Sequence, residues 1–373
     1  MTVQVLPSTG LLRRVTGEPG AADARPGLPR ADFPPRPHGE PGLLDRFGRR
    51  AVDLRVSLTE RCNLRCTYCM PAEGLPVIPS DALMTAAEIE RLVGLGSREL
   101  GIRKVRFTGG EPLLSRDLVD VIARCAALPD APELSLTTNA IGLANRAADL
   151  RAAGLSRINV SLDTVDPDVF AEVTRRPFLD RVLDGLSAAD DAGLVVKVNA
   201  VLLRGVNDHL AVDLLAWCLE RGYELRIIEQ MPLDPGHAWD RSEMITAVEA
   251  RALLSEHWDL TPDTAPRDGA PAERFRVRSR TTGADLGTVG IIASITESFC
   301  ADCTRTRLTA EGHVRGCLFS DDEVDLLSAM RAGASDDVVL DRWRSAMWAK
   351  PRDHGDDTDG LVHPARGMSA IGG

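Results

Sequence analysis

The sequence predicts an α/β fold: an incomplete (β/α)6, TIM-like barrel over residues 49–260, followed by an α+β extension over 261–373. Three observations carry that expectation. Six short apolar runs alternate with helix-periodic segments between residues 52 and 229, the rhythm of parallel βα units. Gly101, Gly154, Gly193 and Gly222 each close a helical pattern just before a strand, where a left-handed helix C-cap is wanted. Polar and glycine-rich residues cluster just after the strands, at Thr59-Glu60-Arg61, Thr108-Gly109-Gly110-Glu111-Pro112, Thr138-Asn139, Asp163-Thr164 and Gln230-Met231-Pro232. Both an incomplete barrel and a doubly wound sheet fit the alternation alone. Functional groups at the C-terminal ends of many strands favour a barrel-like bowl, because a doubly wound sheet gathers them near a switch point.

The elements follow in order. Residues 1–48 hold eight of the 23 prolines with scattered Gly, Arg and Asp, too little apolar surface to order a chain, and read as a disordered tail. Val52–Leu58 reads as a strand. Thr85–Leu100 is helical, with Thr85 and Glu88 spaced as a capping box. Lys104–Phe107, Glu133–Thr137, Arg157–Leu162, Val195–Leu202 and Glu224–Glu229 read as strands. Ser115–Ala127, Leu143–Ala153, Asp166–Arg175, Leu179–Ala192 and His209–Arg221 read as helices. Thr261–Glu273, rich in Pro, Asp and Ala, reads as a linker or long loop. Beyond it, Phe275–Arg280 and Thr288–Ala293 look like strands. Arg307–Thr309 and His313–Cys317 form a hairpin around Glu311-Gly312. Val324–Arg331 and Val338–Lys350 look helical.

Composition excludes several classes. A formal charge of −11 over 373 residues lacks the basic face that nucleic-acid binding needs. No apolar run reaches membrane-spanning length, and the N-terminus has no continuous apolar stretch of a secretory leader. Eight cysteines, clustered rather than scattered, fit metal binding in a reducing, cytoplasmic compartment better than a disulfide framework.

Six of those cysteines form two trios: Cys62, Cys66 and Cys69 in a C-x3-C-x2-C run, and Cys300, Cys303 and Cys317. Cys125 and Cys218 sit in helical patterns and read as buried thiols. A saturated metal site usually takes four protein ligands, so each trio leaves a coordination position open for a substrate. No histidine lies near the first trio, which favours an iron–sulfur cluster with one free iron over structural zinc. His313 is the rival ligand beside the second trio. Arg55, Arg106 and Lys197 lie in strand patterns with apolar neighbours, where a charge is costly unless it is paired or ligand-bound. Together with Arg305 and Arg307 they suit a polyphosphate in an otherwise acidic chain.

The C-x3-C-x2-C run with Tyr68 before its last cysteine, placed after the first strand, resembles the signature of radical S-adenosylmethionine (SAM) enzymes. Gly109-Gly110-Glu111-Pro112 after the second strand matches that family's GGE motif. The second trio, the Cys303-Thr304-Arg305-Thr306-Arg307 run and the closing Ile371-Gly372-Gly373 narrow the resemblance to the GTP 3′,8-cyclase family of molybdenum-cofactor biosynthesis, over about residues 50–373. The resemblance implies two [4Fe–4S] clusters, one on Cys62, Cys66 and Cys69 and one on Cys300, Cys303 and Cys317. It implies SAM against Tyr68, Gly110, Ser161 and Met231, and GTP against Arg55, Arg106, Thr137, Lys197, Arg305, Thr306 and Arg307. The Gly372-Gly373 tail would thread into the active site. The implied reaction is hydrogen abstraction at ribose C3′ by a 5′-deoxyadenosyl radical and closure onto guanine C8. An electron donor of flavodoxin or ferredoxin type and a downstream cyclic pyranopterin monophosphate synthase are implied partners. Oligomeric state is open, a homodimer included. Two other readings stand beside this one: a peptide-modifying radical SAM enzyme with an auxiliary cluster, and a zinc-stabilised binding module without catalysis.

Overall fold

The computed structural model describes residues 36–37, 39–234, 236–354 and 364–372. Most of the expected tail, and Gly373, lie outside the described residues. Order begins before residue 49, however. β1 (Leu43–Leu44) and β2 (Arg50–Ala51) form a small antiparallel pair. Its turn is closed by Asp45, which accepts from the backbone N–H groups of Phe47 and Arg49 and is ion-paired to the Arg49 guanidinium. Leu43 is fully buried, and that single apolar anchor is what the composition of the tail concealed.

Six parallel strands follow: β3 (Asp53–Ser57), β4 (Lys104–Thr108), β5 (Glu133–Thr138), β6 (Arg157–Ser161), β7 (Val195–Val201) and β8 (Glu224–Ile228). They lie side by side in chain order, so the sheet has no switch point among them. Between them run α1 (Ala86–Glu99), α2 (Leu118–Ala126), α3 (Ala147–Ala152), α4 (Pro167–Thr174), α5 (Leu179–Asp191) and α6 (Ala211–Glu220). Thr85 and Glu88 make the expected capping box at the start of α1. Thr246 and Glu249 make a second one for α7 (Ala247–Ser255), a helix the periodicity did not reveal.

The extension does not stand apart from this sheet. β9 (Trp258–Pro262), β10 (Glu273–Ser279) and β11 (Asp285–Ile292) add to one edge, with β11 parallel to β8. β12 (Arg305–Leu308), β13 (His313–Arg315) and β14 (Val324–Asp325) add to the other, with β12 parallel to β3. The result is one twelve-stranded mixed sheet. The expected helix Val324–Arg331 therefore starts as a strand and becomes helical only as α8 (Leu327–Arg331), where Asp325 Oδ1 accepts from Ser328 N at 2.9 Å. α9 (Asp336–Trp348) packs on the outer side, its Trp343 fully buried, and α10 (Met368–Ile371) ends the described chain.

Strand alternation separates two faces. Leu54, Val56, Val105, Phe107, Leu136, Ile158, Val160 and Val198 pack into the main core. The alternate positions carry the polar side chains. Parallel register sets Arg307 beside Arg55 and Arg55 beside Arg106, a row of three guanidinium groups on β12, β3 and β4. No helix among the described residues is long and apolar enough to cross a membrane.

Candidate active site

The first cysteine trio lies on the loop after β3, and β4 holds that loop in place. Gly110 N donates to Thr59 O and Glu111 N to Arg61 O, both at 2.7 Å. A Cβ on Gly109 would collide with Thr59 O, and one on Gly110 with Arg61 O and Glu60 O. The two glycines thus let the loop backbone lie directly on the strand end. The close approach is made toward the cysteine loop. From the other side Arg65 N and Thr67 N donate to Thr174 O and Val173 O at the end of α4. Glu111 is fully enclosed: it accepts from Leu113 N, Thr138 Oγ1 and Asn139 N at 2.7–2.9 Å. Burial pushes its carboxyl up to about 7 against those donors.

Burial also raises the thiols of this trio: Cys62 to about 11, with Glu111 adding to the effect, and Cys69 to about 12. Cys66 goes well above the ordinary range, by burial first and then by Asp163. Metal binding there displaces the protons of these thiols. Tyr68 donates to Asp163 Oδ2 at 2.8 Å.

The second trio is built by the extension. Cys300 and Cys303 bracket a 3-10 turn (Cys300–Asp302) ahead of β12, and Cys317 follows β13. Burial acts to raise Cys303, but Arg305 and Lys350 outweigh it and bring the thiol down to about 6. His313, the rival ligand, faces Glu323 at 3.2 Å and is not at the cavity. All eight cysteines are free thiols, with Cys125 and Cys218 buried in the core.

Both trios line one cavity. Among the described residues no three His, Cys, Asp or Glu side chains close around a single ion. A four-iron cube instead takes one cysteine sulfur at each of three separate corners. Two sets of three free thiols facing a common cavity match that donor chemistry.

Arg55, Arg106, Arg226, Arg305 and Arg307 line the same cavity. Burial brings Arg55 and Arg307 down to about 9 and Arg106 and Arg226 to about 10, with neighbouring guanidinium groups acting in the same direction. The Nε atoms of Arg55, Arg106 and Arg226 are buried without an acceptor. Like charges in register repel, and the buried Asp53 carboxylate, which acts on Arg55, Arg106, Arg305 and Arg307, offsets only part of that charge. Such an arrangement is suited to an incoming polyanion.

The remaining expected residues divide. Tyr68, Gly110, Thr137, Ser161 and Met231 line the cavity, and Thr137 Oγ1 is buried without a partner. Lys197 does not reach it: its ammonium donates to both Glu224 oxygens at 2.9 Å, because β7–β8 register sets the two side by side. Thr306 alternates to the other face, where its Oγ1 accepts from Trp343 Nε1 at 3.1 Å. Gly372 lies against Ser57 and Thr108, and its carbonyl accepts from Arg307 Nη1 at 3.4 Å. Gly373 is outside the described residues. Sequence reasoning missed Arg226, although a charge within the apolar run Leu225–Ile228 is the signal that marked Arg55. It also missed the roles of Glu111, Asn139 and Asp163, which hold the loops together, and it missed Lys350, which no motif marks.

Comparisons with known proteins fit this geometry. The family model for the Radical SAM superfamily matches residues 56–218, and that for Molybdenum Cofactor Synthesis C matches residues 223–356. The GTP 3′,8-cyclase of Paenarthrobacter nicotinovorans is 59% identical over 89% of this chain and 97% of its own length. The enzyme of the same name from Mycolicibacterium smegmatis is 53% identical over the whole of both chains. Among solved structures, Streptococcus suis SuiB bound to S-adenosylmethionine matches with a TM-score of 0.51 at 16% identity. That match covers 72% of this chain and 58% of SuiB, a likeness of fold alone.

Proposed function

Because the chain belongs to the GTP 3′,8-cyclase family of radical SAM enzymes, we propose that this cavity converts GTP to 3′,8-cyclo-7,8-dihydro-GTP, the opening step of molybdenum-cofactor biosynthesis. The observation that carries the reading is the convergence of both cysteine trios and five arginines on one cavity. SAM and [4Fe–4S] clusters are the cofactors of the family. Cys62, Cys66 and Cys69 would hold one cluster, and Cys300, Cys303 and Cys317 the other. When bound, the first cluster and SAM would supply the one-electron radical chemistry for hydrogen abstraction at ribose C3′.

The chain's own residues bind, orient and shield. Tyr68, Gly110, Ser161 and Met231 form the SAM side. Arg307, Arg55 and Arg106 take the triphosphate as an in-register row, with Arg226, Arg305 and Thr137 completing the GTP side. Gly372, its carbonyl on Arg307, seats the tail so that this guanidinium keeps its aim. Exclusion of water by the loops protects a reactive carbon radical. Curvature of the six parallel strands into a partial barrel would bring β8 and β12 to the same cavity, as Arg226 and Arg305 require. The segment 261–373 then acts as the cluster-binding region. We place the enzyme in the cytoplasm, with a flavodoxin- or ferredoxin-type electron donor and a downstream cyclic pyranopterin monophosphate synthase. Anaerobic incubation with GTP, SAM and a strong reductant, read by mass spectrometry, is expected to give 5′-deoxyadenosine and a cyclised isomer of GTP in step. Deoxyadenosine without the nucleotide product would overturn the substrate assignment.

A further inference from the structure

The two trios sit in different electrostatic surroundings. Lys350, just beyond α9, is only 2% exposed. Its ammonium donates to Arg305 O at 2.9 Å, Cys303 O at 3.4 Å and Cys303 Sγ at 3.2 Å. Arg305 Nη2 donates to the same sulfur at 3.4 Å. Burial and Arg49 act against the Lys350 charge, and the Cys303 and Cys317 sulfurs act for it. An ammonium buried this deeply needs acceptor partners, and it is aimed at Cys303 Sγ and two backbone carbonyls. Around the first trio acids act in place of the ammonium. Asn139 Nδ2 reaches Cys62 Sγ at 3.8 Å and backbone groups of Asn63, Leu64 and Ser369 bond the Cys62 and Cys69 sulfurs, while Glu111 and Asp163 act against negative sulfur and Arg65 favours it at Cys62.

Hydrogen bonds and positive charge at a ligating sulfur favour the reduced cluster, which holds one more electron; nearby carboxylates disfavour it. We propose that Lys350 is a positioning residue that raises the reduction potential of the second cluster through Cys303 Sγ, so that the two clusters of this chain work at separated potentials. This rests on the assignment of Cys300, Cys303 and Cys317 as cluster ligands. Lys350 touches neither nucleotide nor SAM side chains in the arrangement above, and its two carbonyl bonds fix the ammonium on the sulfur.

The test is an EPR-monitored redox titration of the anaerobic protein. In a Cys66→Ser background the second cluster titrates alone. At the midpoint of that parent, Lys350→Met is expected to lower the reduced-to-oxidised ratio about tenfold, equivalent to about 59 mV for a one-electron couple. Lys350→Arg is expected to recover most of the shift, and Lys350→Gln, which keeps a donor without the charge, to fall between. In a Cys303→Ser background, Lys350→Met is expected to leave the first cluster's midpoint where it was. A fully loaded Lys350→Met protein with the parental midpoint overturns the proposal, as does an equal displacement of both clusters. Loss of the cluster from Lys350→Met with a parental midpoint in Lys350→Gln also overturns it, because the role is then only structural. Absence of iron from the Cys66→Ser parent overturns the ligand assignment itself.

Discussion

Tyr68 and Asp163 are joined by a hydrogen bond of 2.8 Å that ties the cysteine loop to the end of β6. Asp163 Oδ1 in turn accepts from Val201 N at 2.9 Å, and its carbonyl accepts from Asn207 Nδ2 at 3.0 Å. One chain of bonds thus runs from the cysteine loop through the ends of β6 and β7. Burial raises the Asp163 carboxyl to about 6 despite those donors. Tyr68→Phe leaves one buried carboxylate oxygen without its donor, a loss of about 1–3 kcal/mol. Urea unfolding of the anaerobic apo-protein should report that loss, and calorimetry should show SAM binding weakened more than GTP binding. Unchanged SAM affinity would remove Tyr68 from the SAM side.

Glu111 gives a pH signature. Its carboxyl is raised from 4.5 to about 7, chiefly by burial. An acid whose folded pKa is raised binds its proton more tightly in the native state. Its contribution is therefore fully present below about pH 4.5 and is lost as pH rises through about 7. Glu111→Gln removes this titration, and it also turns an amide N–H onto one of the backbone or hydroxyl donors that Glu111 now receives. The variant is expected to be less stable at pH 5, with the gap to the parent narrowing toward pH 7.5. Chemical denaturation across that range measures it; a gap independent of pH would contradict the assignment.

The in-register arginines predict opposite effects on binding and stability. Arg55→Met removes one guanidinium from the row Arg307–Arg55–Arg106. GTP affinity should fall roughly 10–100-fold, the scale of a lost charge-assisted contact of about 1.5–3 kcal/mol. The apo-protein should unfold at the same or a higher temperature, since a buried like-charge repulsion has gone while Arg106, Arg305 and Arg307 remain to offset Asp53. Lys197→Met should behave differently, because it strands Glu224 half-buried: stability falls whether or not GTP is present. Calorimetric GTP binding and thermal unfolding separate the two.

Arg366 is expected to hold the C-terminal segment in place. It contacts Glu60 at 2.8 Å, Glu323 at 3.2 Å and Glu311, three acids on three separate segments. Ser369, three residues on, lines the cavity and hydrogen-bonds by its backbone to Cys69. Arg366→Ala leaves three carboxylates facing one another, so carboxypeptidase should trim the chain end at least several-fold faster than in the parent. Arg366→Lys should restore part of the protection. Equal trimming of all three proteins would place the anchor elsewhere.

The parts legible in the sequence were those fixed by local chemistry. Cysteine spacing, the glycines before Glu111, the capping box at Thr85 and the βα alternation each depend on near neighbours. Long-range pairing was not legible. Nothing near Ile292 or Arg305 announces that β11 and β12 will add to opposite edges of one sheet. Lys197 and Arg55 look alike as charges in apolar strands. Register gives Lys197 the Glu224 carboxylate and gives Arg55 two more arginines. Thr306 shares a motif with Arg305 and Arg307, yet strand alternation turns it to Trp343. Lys350 belongs to no motif at all, and only the packing of α9 brings it to Cys303.

The central claim is that two iron–sulfur clusters face one cavity, one toward SAM and the other toward GTP. EPR of the reduced protein with each cluster present alone tests it most directly. In Cys303→Ser, SAM is expected to change the signal and GTP to leave it unaltered. In Cys66→Ser, GTP is expected to change the signal and SAM to leave it unaltered. A signal in either variant that responds to neither ligand, or a protein that binds stoichiometric zinc in place of iron, would contradict the account.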